Sequence, residues 1–142
     1  MSQAAVEAGR PLKVLHVDDD PLNLRVVHEI LGAFGHATVS VGSGAEALER
    51  LAGEPFDAVL LDIHMPHMSG LEVAQRIRAS NGPERDLPVI ALTADIVSRR
   101  PSEYLNLGFN DYISKPILIS GLMNALHRAT APKSLELLSR AS

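Results

Sequence analysis

The sequence predicts an α/β fold, a five-stranded parallel sheet flanked by helices on both faces in a (βα)5 arrangement. Five apolar, β-rich runs alternate with five segments of helical spacing. Runs one, three and four are apolar nearly throughout, as strands covered on both faces must be. Turn-forming clusters stand between the pieces.

The first run is "LKVLHV" (12–17). Asp20 followed by Pro21 reads as a helix N-cap with proline at the first helical position. The helix beyond it carries Leu24, Val27, Leu31 and Phe34 on one face, and "FGH" turns the chain into "HATVSV" (36–41). "VGSG" opens a second helix with Leu48, Leu51 and Ala52 inward, before "FDAVLL" (56–61). A third helix carries Leu71, Ala74 and Ile77, and "SNGPERD" leads to "LPVIAL" (87–92). The fourth helix starts close to Pro101 and ends before Gly108, about two turns, a length that is marginal without tertiary contacts. "DYIS" (111–114) is the last strand, and a fifth helix follows it. Residues 1–10 read as a flexible leader, 11–131 as one domain and 132–142 as a C-terminal tail, with no internal repeat or low-complexity segment.

Composition narrows the function. At 142 residues with 46% apolar content, the chain has one domain's length and enough to bury one core. A formal net charge of -4 leaves no basic excess to displace counterions, which argues against direct nucleic-acid binding. The absence of cysteine fits a reducing compartment. "MSQAAVEAGRP" has neither the basic head nor the apolar stretch of a signal peptide, and no run approaches the roughly 18 apolar residues of a membrane span. The expectation is a soluble, cytoplasmic protein without a membrane partner.

In an open parallel sheet, ligands bind outside the carboxyl ends of the strands. Run one ends in Asp18-Asp19-Asp20, run three in Asp62, run four in Thr93, and run five passes into Lys115-Pro116. Singly each has a plain explanation: Asp20 caps a helix, Asp62 caps a loop, Thr93 is a strand residue and Lys115 is solvated. Together they need another, because two carboxylates 4 Å apart repel by roughly 4 kcal/mol at an effective dielectric of about 20. A cation must offset that repulsion. Oxygen-only ligands with an open side suit Mg²⁺, with Mn²⁺ as the alternative. A divalent ion, a lysine, a hydroxyl and a carboxylate together form a site for a phosphoryl group. A carboxylate ionised at neutral pH can attack phosphorus without a general base.

"VLHVDDDP", "VLLDIHMPHMSG", "PVIALTAD" and "DYISKP", in this order and spacing, resemble the four motifs of response-regulator receiver domains of two-component signalling, over about residues 11 to 130. The resemblance implies a flavodoxin-like, doubly wound three-layer sandwich with strand order 2-1-3-4-5. It implies Asp62 as phosphoacceptor, Asp19 and Asp62 as direct Mg²⁺ ligands with the backbone carbonyl of His64, and Asp18 acting through water. Thr93 and Lys115 would bind phosphoryl oxygens, and Tyr112 would turn inward when Thr93 is drawn to the phosphate. The Lys115–Pro116 bond would be cis, proline being the residue type at which that form costs little. The phosphodonor, a sensor histidine kinase or histidine phosphotransfer protein, would dock around Leu22, Pro116 and Ile117. The output face would be the fourth helix, fifth strand and fifth helix, with the protein a monomer or weak dimer and no enzyme beyond its own phosphorylation and dephosphorylation.

Rival readings are weaker. An aspartyl-phosphate phosphatase shares the strand-end aspartate and Mg²⁺, but such enzymes resemble D-x-D at the nucleophile and position 64 is histidine. A nucleotide carrier would need a glycine-rich loop after the first strand. A phosphate-independent interaction module would not need all these side chains. "D-I-H-M-P-H" as a transition-metal site fails because Pro66 breaks the helix that would align His64 and His67. His16, His28, His36 and His127 read as structural or solvated. The wording "ALTAD…GFNDYISKPI" looks closer to hybrid-kinase and relay receivers than to transcription-factor ones.

Overall fold

The computed structural model describes residues 10–95 and 97–131; the expected leader, apart from Arg10, and the expected tail lie outside the described residues. The strands are β1 (Lys13–Val17), β2 (Ala37–Val41), β3 (Ala58–Asp62), β4 (Val89–Thr93) and β5 (Asp111–Ser114). The helices are α1 (Pro21–Ala33), α2 (Gly44–Gly53), α3 (Gly70–Ala79), α4 (Pro101–Asn106) and α5 (Ile119–Thr130), and a short 3-10 helix, Pro83–Asp86, precedes β4. The five strands form one parallel sheet in the order β2-β1-β3-β4-β5. This is the predicted doubly wound architecture.

Alternation along the central strands splits the core into two layers. Leu15, Val17, Val59, Leu61 and Ala91 pack with Ala47, Leu51, Val73, Ala74, Ile77 and Tyr104 under α2, α3 and α4. Val14, Ala58, Leu60, Ile90 and Leu92 pack with Val27, Leu31, Leu122 and Leu126 under α1 and α5. Every residue of β3 and β4 is buried. At about 1.5–3 kcal/mol for each large apolar side chain buried, these strands can carry a polar residue at their ends.

Local chemistry sets the helix starts. The side chains of Asp20, Ser43 and Ser69 accept hydrogen bonds from the backbone N–H groups of Leu22, Glu46 and Glu72. Pro21 and Pro101 occupy first-turn positions, as expected. Gly70 has a second role. Its N–H donates to the Ile63 carbonyl at 2.9 Å, and a Cβ there would collide with the carbonyl of Asp62. Ser69-Gly70 therefore lets α3 begin directly against the end of β3.

Two inward assignments are corrected. Phe34 lies beyond α1 and is 53% exposed, because the helix stops at Ala33 and the chain reverses at Gly35, φ +83°. Ala52 is exposed, because α2 starts at Gly44 and its buried face runs Gly44, Ala47, Leu51. Among the described residues, no helix is long and apolar enough to cross a membrane.

Candidate functional site

The carboxyl edge of the sheet gathers the predicted side chains. Asp18 follows β1 and is wholly buried. Its Oδ1 accepts from the N–H of Asp20 at 2.9 Å and its Oδ2 from Nδ2 of Asn23 at 3.2 Å. Asp62 ends β3 at 2% exposure and accepts a hydrogen bond from the N–H of His64 at 3.3 Å. Lys115 follows β5, its N–H bonded to the Thr93 carbonyl at 2.8 Å. Its Nζ lies 3.2 Å from Oδ1 of Asp62 and 3.4 Å from Oδ2 of Asp18. The Lys115–Pro116 bond is cis.

Asp19 is exposed beside this pair, and one carboxylate oxygen from each of Asp18, Asp19 and Asp62 lies within 4.8 Å of the others. Three hard oxygen donors, one open to solvent, fit a hard divalent cation such as Mg²⁺. Neither His64 nor His67 belongs to that group; both are exposed, and His67 sits at φ +69° in the turn after β3.

Charge is frustrated in the pocket. Burial and then the neighbouring Asp18 carboxylate raise the Asp62 pKa to about 6, against the opposing pull of Lys115 and the His64 N–H. Asp62 thus remains mostly ionised at neutral pH, but strained by its neighbour. For Lys115, burial favours loss of the proton, yet Asp18 and Asp62 together outweigh it and the pKa is raised.

Thr93 ends β4, buried, with its hydroxyl donating to the Asp95 carbonyl at 3.2 Å and accepting from the Asp95 N–H at 3.0 Å. Tyr112 is half-buried on β5 and stacks on Tyr104 of α4 with centroids 4.9 Å apart. Tyr104 is buried and its hydroxyl donates to the same Asp95 carbonyl at 3.4 Å. A backbone oxygen two residues past Thr93 thus links the hydroxyl to the α4–β5 aromatic stack. Leu22 is 66% exposed and Pro116 is exposed, whereas Ile117 is half-buried and packs against the α1–α5 layer.

Sequence reasoning missed three residues at the site. Asn23 stands in the first turn of the helix that Asp20 caps, an ordinary place for an amide, and only the structure shows its contact with Asp18. Tyr104 was signalled only by being an aromatic in a short helix. His16 shares the sheet face of Asp18 by i, i+2 alternation; it is wholly buried, its Nε2 is 3.8 Å from Oδ2 of Asp18, and burial lowers its pKa to about 4.

Comparison with known proteins agrees with this geometry. A family model, response regulator receiver domain, matches residues 14–127. Sensor protein GacS of Pseudomonas syringae pv. syringae is 38% identical over 112 residues, which are 78% of this chain and 12% of GacS. Response regulator MprA of Mycobacterium sp. (strain KMS) is 38% identical over 126 residues, 86% of this chain and 53% of MprA. The chain therefore spans only a small part of the first relative and about half of the second. Among solved structures, the receiver domain of sensor histidine kinase PA1611 from Pseudomonas aeruginosa PAO1, with a magnesium ion coordinated in its active site cleft, matches with a TM-score of 0.78 and 30% identity, covering 87% of this chain and 100% of that one.

Proposed function

The chain belongs to the response regulator receiver domain family, and from that premise we propose that Asp62 accepts a phosphoryl group from a phosphohistidine of a sensor histidine kinase or histidine phosphotransfer protein. One observation carries the reading: a carboxylate at the end of a fully buried strand, 3.2 Å from a lysine ammonium and grouped with two further carboxylates. A carboxylate cage with one lysine is under-neutralised by itself, which supports use of a divalent cation.

In the transfer, a carboxylate oxygen of Asp62 forms a bond to phosphorus as the P–N bond of phosphohistidine breaks, and the departing imidazole nitrogen keeps the electron pair and takes up a proton. Asp19, Asp62 and the His64 carbonyl would hold Mg²⁺ directly and Asp18 through water, and the ion would supply positive charge to the transferring phosphoryl oxygens. Lys115 turns its ammonium from the carboxylates to a phosphoryl oxygen. Thr93 exchanges its bond to the Asp95 carbonyl for one donated to the phosphoryl group. That exchange releases one of the two hydroxyls on the Asp95 carbonyl, the other being Tyr104, and so biases the stack of Tyr104 on Tyr112. The α4–β5–α5 face is the output surface. Such a switch needs only a few kcal/mol of differential interaction to redistribute two existing states.

The protein is a signalling module rather than an enzyme with an external product. It acts in the cytoplasm, as a monomer or weak dimer, without direct contact to nucleic acid. The donor docks on exposed Leu22 and Pro116, with the half-buried Ile117 at the edge of the patch. The test is phosphoryl transfer from a phosphohistidine partner, with and without chelation of Mg²⁺. Chelation is expected to stop transfer, and unchanged transfer in chelator would overturn the metal-assisted reading. Leu22→Ala is expected to slow transfer from the protein donor and to spare phosphorylation by acetyl phosphate; equal loss with both donors would contradict docking there.

A further inference from the structure

The residue this reading leaves unused is His16. It is the penultimate residue of β1, in register with Ser40 of β2 and Leu60 of β3. Its side chain is wholly buried, and neither ring nitrogen has a hydrogen-bond partner among the described residues. Burying a polar ring unpaired is unfavourable, and an aliphatic residue would fill a strand interior without that penalty. A carboxylate oxygen is near it: Nε2 lies 3.8 Å from Oδ2 of Asp18, beyond hydrogen-bond length by less than 1 Å.

That oxygen is a point of convergence. Nδ2 of Asn23 reaches it at 3.2 Å and Nζ of Lys115 at 3.4 Å, while the other oxygen of Asp18 is held by the Asp20 N–H at 2.9 Å. If Lys115 turns to a phosphoryl group, Oδ2 loses its charged partner and keeps only Asn23. A buried carboxylate in that condition is under-satisfied, and the His16 ring 3.8 Å away is an unused donor among the described residues.

We propose that His16 is a positioning residue for Asp18: its uncharged ring carries the proton on Nε2 and closes a hydrogen bond to Oδ2 when Lys115 leaves for the phosphoryl group. The role rests on the phosphoacceptor reading above and adds a part to it. An uncharged donor suits the place, because a second fixed cation behind Asp18 would compete with a divalent ion for the same carboxylates. The bond holds Asp18 in one orientation through the transfer, and so fixes its place among the three grouped carboxylates.

The test joins spectroscopy to substitution. Long-range ¹H–¹⁵N spectra of histidine-labelled protein, with the His16 signal identified by its loss in His16→Gln, report which ring nitrogen holds the proton. The Nε2–H tautomer is expected, with Nε2 shifting in the direction of a hydrogen-bonded donor on addition of Mg²⁺ and beryllofluoride. His16→Ile is expected to melt no lower than the wild type yet to be phosphorylated by acetyl phosphate roughly tenfold more slowly, as for the loss of a group that orients a metal-site carboxylate. His16→Gln, whose amide nitrogen falls near the place of Nε2, is expected to restore the rate, and His16→Asn, which falls near Nδ1, is not. An Nδ1–H tautomer, a ring signal indifferent to the mimic, or a wild-type rate in His16→Ile would each overturn the positioning role while leaving the phosphoacceptor reading intact. A wild-type chain that neither responds to beryllofluoride nor takes phosphate from acetyl phosphate would overturn both.

Discussion

At the scale of the residue, Asp62 is held in a place that disfavours its charge. Its folded-state pKa of about 6 lies above its ordinary 3.8, so the stabilisation that comes with its proton is complete below about pH 4 and lost as pH rises through 6. In metal-free protein, Asp62→Asn is therefore expected to raise stability at pH 7 by roughly 1–3 kcal/mol, the gain shrinking by pH 5. Thermal melts in chelator at both pH values check it, and a loss at pH 7 would show that the Lys115 contact outweighs burial and the Asp18 repulsion. By the same logic, Mg²⁺ should raise the melting temperature of the wild type and raise that of Asp19→Asn less, since a ligand that binds only the folded state stabilises it. Asp18, Asp62, Thr93 and Lys115 were legible because each terminates or directly follows an apolar run. Asn23 was not, since an amide in a first helical turn is ordinary until the carboxylate it reaches is located. His16 was not, since sequence gives the face of a strand residue but not whether its ring finds a partner.

At the scale of the element, the two ends of the sheet behave differently. At the amino edge, His36 accepts a hydrogen bond at Nδ1 from the backbone N–H of Leu12 at 3.0 Å, joining the approach to β1 with the start of β2. Burial, then the nearby His127, lowers the His36 pKa from 6.5, with Asp57 opposing. A lowered histidine contributes stability that is full above the unfolded pKa and falls away as pH drops from about 6.5 through the folded value. His36→Asn, which keeps an acceptor near the place of Nδ1 and cannot titrate, is expected to lose less melting temperature than the wild type between pH 7 and pH 5; an equal loss would remove His36 as a source of acid sensitivity. At the carboxyl edge, α4 is six residues long, starts at Pro101 and is tied to β5 by the Tyr104–Tyr112 stack. A beryllofluoride mimic is expected to shift amide resonances at Thr93, residues 98 to 108 and Tyr112, and shifts confined to the pocket would contradict the proposed switch. Pro101 and Gly108 made the limits of α4 legible. The stack was not, because Tyr104 and Tyr112 meet only once the fold brings α4 onto β5.

At the scale of the whole molecule, the alternation of five apolar runs with five helical segments was enough to specify an α/β sandwich, because β3 and β4 are buried on both faces and carry no polar residue between their starts at Ala58 and Val89 and their ends at Asp62 and Thr93. The strand order is non-local: β1 lies between β2 and β3, and no periodicity in the chain states that, so the order came from the resemblance rather than from the runs themselves. Phe34 was misplaced because α1 ends one residue before it, and Ala52 because the buried face of α2 is legible only once its starting residue is fixed. The fold's consequence for chemistry is that four parallel strands deliver Asp18, Asp62, Thr93 and Lys115 to one edge from positions nearly a hundred residues apart in the chain, which is where a phosphoacceptor site would be built. The most direct test of that claim is intact-mass measurement after exposure to acetyl phosphate with Mg²⁺, for the wild type and for Asp62→Ala. The account predicts one added phosphoryl group on the wild type, lost on chelation of Mg²⁺, and none on Asp62→Ala; phosphate accepted by Asp62→Ala at the wild-type rate would contradict it.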